Sequence, residues 1–159
     1  MKMFYRVDNR LVHGQIIATW MPHLRPKTFV IVNDAAATSD FQQTMFRMVV
    51  PDDINVEFFC VREAPEHLAT LRRSDESVLV LLETIQDAVR LFEYGHAYTQ
   101  LNIGNVHHTA GRRSFTNAVF LGEDELTLLR KLFSKGVHVE IRTLPKEVPI
   151  DLRRAIEAA

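Results

Sequence analysis

A carboxylate, an arginine and a histidine that could bind and move a small anion fall within six residues near the start of the chain, beside an expected helix start. The segment Arg6-Val7-Asp8-Asn9-Arg10-Leu11-Val12-His13-Gly14-Gln15 directly follows an apolar run that reads as a strand. A neutral imidazole at His13 is a competent nucleophile near physiological pH, provided its second nitrogen is held by a hydrogen bond. Asp8 could supply that bond or stabilise the charged ring, as carboxylates do for other catalytic histidines. Arg10 offers a planar fork of donors suited to phosphate oxygens. Ile16, Ile17, Trp20 and Met21 then mark the buried face of a helix expected to stop at Pro22. That places His13 at a helix N-terminus, where free amides and the helix dipole favour an anion. Gly14 lacks a Cβ and lets a bound group approach the backbone. Read without reference to any family, the same residues also allow a surface Asp8–Arg10 ion pair of little consequence.

The elements around this loop predict an α/β fold: a single domain over residues 1–159, with an open, mostly parallel β-sheet and helices on both faces. Strands are expected at Met3–Val7, Thr28–Val32, Val56–Cys60, Val78–Leu82, Gln100–Ile103 and Val137–Ile141. Several are apolar almost throughout, as strands covered on both faces are. Helical spacing joins Phe41, Met45, Met48 and Val49, then Ile85, Val89 and Phe92, then Leu126, Leu129, Leu132 and Phe133. Thr84 and Asp87 have the spacing of a capping box, and Glu123–Glu125 place negative charge at another helix start. Sites in such sheets form where the strands' carboxyl ends enter loops. The loops to inspect are therefore 8–14, 33–39, 60–65, 83–84 and 104–117.

Composition limits the alternatives. Lys and Arg total 19 against 20 Asp and Glu, a balance that argues against non-specific nucleic-acid binding. The single cysteine, Cys60, fits a reducing compartment, and no run approaches the roughly 20 apolar residues of a membrane helix. A cytoplasmic chain is expected, with any membrane role exerted through a partner. There is neither a G-x-G-x-x-G turn nor a G-x-x-x-x-G-K-[ST] loop to mark a nucleotide site. His107-His108 lacks the further ligands that a metal site needs, so none is expected.

The string from Arg6 to Gln15 closely resembles the opening of the mannose/sorbose family of phosphotransferase system (PTS) IIB components. Ala18-Thr19-Trp20, Val32-Asn33-Asp34, Asn102-Ile103-Gly104-Asn105 and Asn117-Ala118-Val119 resemble further landmarks of that family, in order along nearly the whole chain. Asn105 departs from it, standing where members often carry a second glycine. The resemblance implies that His13 is the phosphorylated residue, through Nδ1, and that no metal or organic cofactor takes part. It implies a phospho-IIA donor, itself charged through HPr and enzyme I from phosphoenolpyruvate. It further implies a sugar acceptor taken up through membrane IIC and IID subunits, peripheral association with them, and a homodimer. The phosphoryl oxygens would be held by Arg10, by main-chain amides near His13 and Gly14, and by Gln15. Two residues stay open between readings. Asp34 either orients His13 or satisfies its own turn, and Arg112, with Arg113, either contacts phosphate or an acidic patch on the donor domain, or is solvated. The alternative function is a regulatory module, phosphorylated on His13 but driving no transport; a third is an unrelated α/β enzyme that binds a small anion.

Overall fold

The computed structural model describes residues 2–158. The elements run β1 (Met3–Asp8), a π-helical turn (Ile16–Trp20), α1 (Met21–Leu24), β2 (Thr28–Val32), α2 (Asp34–Ala37), α3 (Asp40–Val49), β3 (Asn55–Phe59), α4 (Ala64–Arg73), β4 (Val78–Leu82), α5 (Ile85–Glu93), β5 (Gln100–Asn105), β6 (Arg113–Ser114), β7 (Phe120–Leu121), α6 (Glu123–Ser134), β8 (His138–Ile141), β9 (Ile150–Asp151) and α7 (Leu152–Glu157). The main sheet has the order β3-β2-β4-β1-β5-β8-β9. Its strands are parallel except β9, which pairs antiparallel with β8. β6 and β7 form a small antiparallel hairpin.

Burial follows from that topology. Every residue of β2 and β4 is buried, as the unbroken apolar runs TFVIV and VLVLL require of strands covered on both faces. One face packs Leu68, Ile85, Leu91, Leu129 and Leu152 of α4–α7 against Val7, Val80 and Ile103. The other packs Leu11, Ile16, Trp20, Phe29 and Leu81, with Phe46 of α3 against them. At the roughly 25 cal/mol per Å² that apolar burial contributes, these two layers supply most of the driving force for folding.

The chain leaves β1 toward β2 on one side of the sheet, and leaves β5 toward β8 on the other. Adjacent strands whose connections diverge open a crevice at their carboxyl ends, and the first loop sits there.

Two expectations need correction, and one helix shows a face that its spacing alone left open. The helix after His13 does not stop at Pro22 but runs to Leu24. The π turn, closed by a Met21 N–H to Ile16 carbonyl bond, places Pro22 at the first turn of α1, where a missing N–H costs little. Cys60 lies just after β3, in a turn, with its thiol 3.4 Å from Glu63. The sheet does not cover the apolar stripe of α3: Phe41 is 74%, Met45 51% and Met48 80% exposed. Phe46 and Val50 face inward instead, while Gln43 bonds the carbonyls of Ala36 and Ala37, fixing the helix's rotation.

Candidate active site at the first loop

The loop between β1 and the first helix turns sharply because Leu11 adopts a left-handed conformation, φ 55°. That is unusual for a branched side chain and marks a backbone held by its surroundings. The Leu11 amide donates to the Asp8 carbonyl at 3.0 Å, and Leu11 and Val12 are buried beneath the loop. Anchoring these two turns Arg10 and His13 outward over the buried end of β1. Helical structure begins at Gly14, and the Ile17 amide is the first to return, to the His13 carbonyl at 3.3 Å. The preceding amides of Gly14, Gln15 and Ile16 are the free donors of a helix start. A Cβ at Gly14 would meet nothing within 4 Å, so packing within the protein does not require glycine there.

Asp8 is the centre of the arrangement. Its carboxylate is fully buried and accepts five bonds. Oδ1 takes the Arg10 amide at 3.0 Å and Arg10 Nε at 3.1 Å. Oδ2 takes Arg10 Nη2 and His13 Nε2, each at 3.1 Å, and Arg6 Nη2 at 3.3 Å. Burial alone pushes this carboxyl up, but the bonds from His13 and Arg10 and the charge of Arg6 outweigh it and hold the group well below the usual carboxylate range. An ionised carboxylate only accepts, so His13 Nε2 is the donor, and the neutral tautomer that fits this bond has its lone pair on Nδ1. The His13 side chain is 16% exposed, so the ring is partly open to solvent. Arg10 extends from Asp8 to Gln15 Oε1 at 3.1 Å, and its Nη1 has no bond among the described residues.

The remaining candidates stand apart from this cluster. Asp34 accepts from the Val61 amide at 2.9 Å and from Arg90 at 3.3 Å, closing the β3–α4 turn. It makes no bond to His13 among the described residues. Arg112 forks onto Glu125, at 3.2 and 2.6 Å, and donates to the His107 carbonyl at 2.7 Å. Asn9 ties that second loop to the first, accepting from the His107 amide at 2.7 Å and donating to the Glu83 carbonyl at 2.6 Å. Three residues escaped the sequence reading: Asn9 as the link between loops, Leu11 as the turn, and Arg6 beneath Asp8. Only Arg6 left a signal, a cation inside an apolar strand. Among the described residues, no three His, Cys, Asp or Glu side chains gather as a metal site would require.

Comparison with known proteins gives this geometry a family. The chain is 29% identical over 141 residues to the N-acetylgalactosamine-specific phosphotransferase enzyme IIB component 1 of Escherichia coli strain K12, covering 88% of this chain and 89% of that protein. It is 27% identical to the mannose-specific PTS EIIAB component of the same organism, over 96% of this chain and 48% of that longer protein. The crystal structure of manxB from Thermoanaerobacter tengcongensis superimposes with a TM-score of 0.89 at 32% identity, over 98% of this chain and 95% of that one. The family described as PTS system sorbose subfamily IIB component matches residues 2–159. The chain belongs to that family, the sugar-specific IIB components of the mannose/sorbose class of the phosphotransferase system.

Proposed function

We infer that His13 carries a phosphoryl group on Nδ1, received from a phospho-IIA partner and passed to a sugar during its uptake through IIC and IID subunits. The observation that supports this most directly is the Asp8–His13 bond at 3.1 Å, which occupies Nε2 and leaves Nδ1 as the nucleophile.

In the first step the Nδ1 lone pair attacks phosphorus in line with the donor's N–P bond. The new Nδ1–P bond forms as the old one breaks, and the donor imidazole leaves with its electron pair. The Nε2 proton stays in place, so the phosphorylated ring gains positive charge beside Asp8, which offsets it. Arg10 Nη1, the Gln15 amide group and the main-chain amides at Gly14 and Gln15 face the transferred oxygens, compensating charge that spreads over them. In the second step a sugar hydroxyl attacks the same phosphorus, losing its proton to solvent, and the Nδ1–P bond breaks with its electron pair returning to Nδ1, which restores the neutral ring. Arg112 acts one step away, holding the 104–117 loop through the His107 carbonyl. Asp34 shapes the neighbouring turn.

IIA partnership has outside support, since the mannose-specific EIIAB relative carries both labels in one name. The test is transfer from phospho-IIA, first to this protein alone and then with membranes containing IIC and IID. Sugar phosphate made only when all parts are present supports transport. Phosphorylation of the protein without onward transfer, in membranes shown to be active with another IIB, would contradict it and favour a regulatory module.

A further inference from the structure

Arg6 is the largest charged side chain inside the molecule, with no exposed surface. A buried charge is retained only where it is compensated, and here both Nη groups are satisfied while Nε has no hydrogen-bond partner among the described residues. Nη1 donates to Asn102 Oδ1 at 2.7 Å and to the Arg142 carbonyl at 3.0 Å. Nη2 donates to the Thr143 carbonyl at 3.2 Å and to Asp8 Oδ2 at 3.3 Å. The guanidinium also lies 4.9 Å from the centre of the Trp20 ring, whose own N–H bonds the Thr143 carbonyl at 2.8 Å. One side chain therefore joins β1, β5, the segment after β8 and the helix that follows His13.

The neighbouring strand makes room for it. A Cβ at Gly104 would overlap the Arg6 guanidinium, so glycine at that position is a steric requirement of the arginine. Stability alone does not call for such a device, since an apolar side chain of similar volume would fill the space without desolvating a charge. What Arg6 reaches from inside the sheet is Asp8 Oδ2, the oxygen that also accepts from His13 Nε2 and, on the loop side, from Arg10 Nη2.

We propose that Arg6 is a positioning residue for the phosphoryl-carrying histidine: it fixes the Asp8 carboxylate from behind, and thereby the tautomer and orientation of the His13 ring. This rests on the phosphocarrier reading above. Arg6 touches neither His13 nor the space in front of it among the described residues; it acts through Asp8.

The test compares wild type with Arg6→Met and Arg6→Lys, each checked for a native amide spectrum. The ring ¹⁵N shifts of His13 report the tautomer without any donor. In Arg6→Met the Nε2–H tautomer is expected to lose its dominance, and the maximal rate of phosphoryl acceptance to fall about 10–100-fold, with the donor KM changed less than about twofold. Arg6→Lys, which keeps the charge but not the fork, should recover part of both. If Arg6→Met does not fold, Arg6→Lys alone carries the comparison, with the same direction expected and a smaller size. In an Asp8→Asn background, replacing Arg6 should change His13 no further. A folded Arg6 variant with an unchanged tautomer, whatever its rate, would overturn the proposal. Should wild type accept no phosphoryl group, the phosphocarrier reading fails, while the tautomer measurement still decides the part played by Arg6.

Discussion

The Asp8 carboxylate and the His13 ring meet through Oδ2 and Nε2 at 3.1 Å, with the acid wholly buried and the ring partly open. A buried acceptor paired with an accessible imidazole fixes which nitrogen can react. It also places the compensating charge on the side away from the incoming group.

Asp8→Asn keeps the size of the side chain but loses the charge and lets either ring nitrogen take the proton. The rate of phosphoryl acceptance should fall about 10²–10³-fold. Single-turnover transfer from phospho-IIA measures it. Asp8→Ala should in addition destabilise the fold by roughly 3–5 kcal/mol, because Arg6 would be left buried without its carboxylate. Urea unfolding measures that.

Arg10→Ala removes the free Nη1 proposed to face the transferred oxygens, together with the Nε and Nη2 bonds to Asp8, while leaving Arg6 and His13 on Asp8. Arg10 is 34% exposed, so the fold should survive. Transfer is expected to slow by about 10²-fold, with unfolding midpoints close to wild type. A rate within twofold of wild type would remove Arg10 from the phosphoryl site.

How far these residues were legible in the sequence depends on what carries the information. Strands β2 and β4 were placed to the residue because unbroken β-branched and leucine runs permit little else. The β6–β7 hairpin and β9, two residues per strand, leave no periodicity to detect. Thr84 caps α5 as its spacing predicted, accepting from the Asp87 amide at 3.0 Å. The reciprocal half of the box is missing, because the Asp87 carboxylate pairs with Arg90 at 2.9 Å. Asp8, Arg10 and His13 were legible since they share one short loop. The bonds from Arg6 to Arg142 and Thr143 span well over a hundred residues, and no local pattern reports them. The exposed stripe on α3 shows the converse, a helical period that names a face without saying whether anything covers it.

Arg112→Ala separates support from contact. Glu125 is nearly buried, so losing its partner should lower stability by about 1–3 kcal/mol. If Arg112 only holds the loop, acceptance by His13 should fall less than tenfold. A loss as large as that of Arg10→Ala would place Arg112 at the phosphoryl group instead.

His96 ties stability to pH at the opposite end of the sheet. Its Nε2 lies 2.6 Å from the Tyr5 hydroxyl and 3.0 Å from Arg72 Nη2, so it acts as an acceptor on a neutral ring. Burial, then the charge of Arg72, pushes its pKa down to about 4 from 6.5. As pH drops from 6.5 toward 4, the unfolded chain binds a proton that the folded ring refuses, and stability declines. Between pH 7 and 5 this amounts to about 2 kcal/mol. Urea unfolding across that range should show the slope, and His96→Gln should flatten it.

The central claim is that His13 carries the phosphoryl group, and incorporation from phosphoenolpyruvate through enzyme I, HPr and a cognate IIA tests it most directly. Intact mass and acid lability are read on wild type and on His13→Ala. One acid-labile phosphoryl group on wild type and none on a folded mutant is the expected result. No incorporation with a IIA shown to be active, or equal incorporation in the mutant, would contradict it.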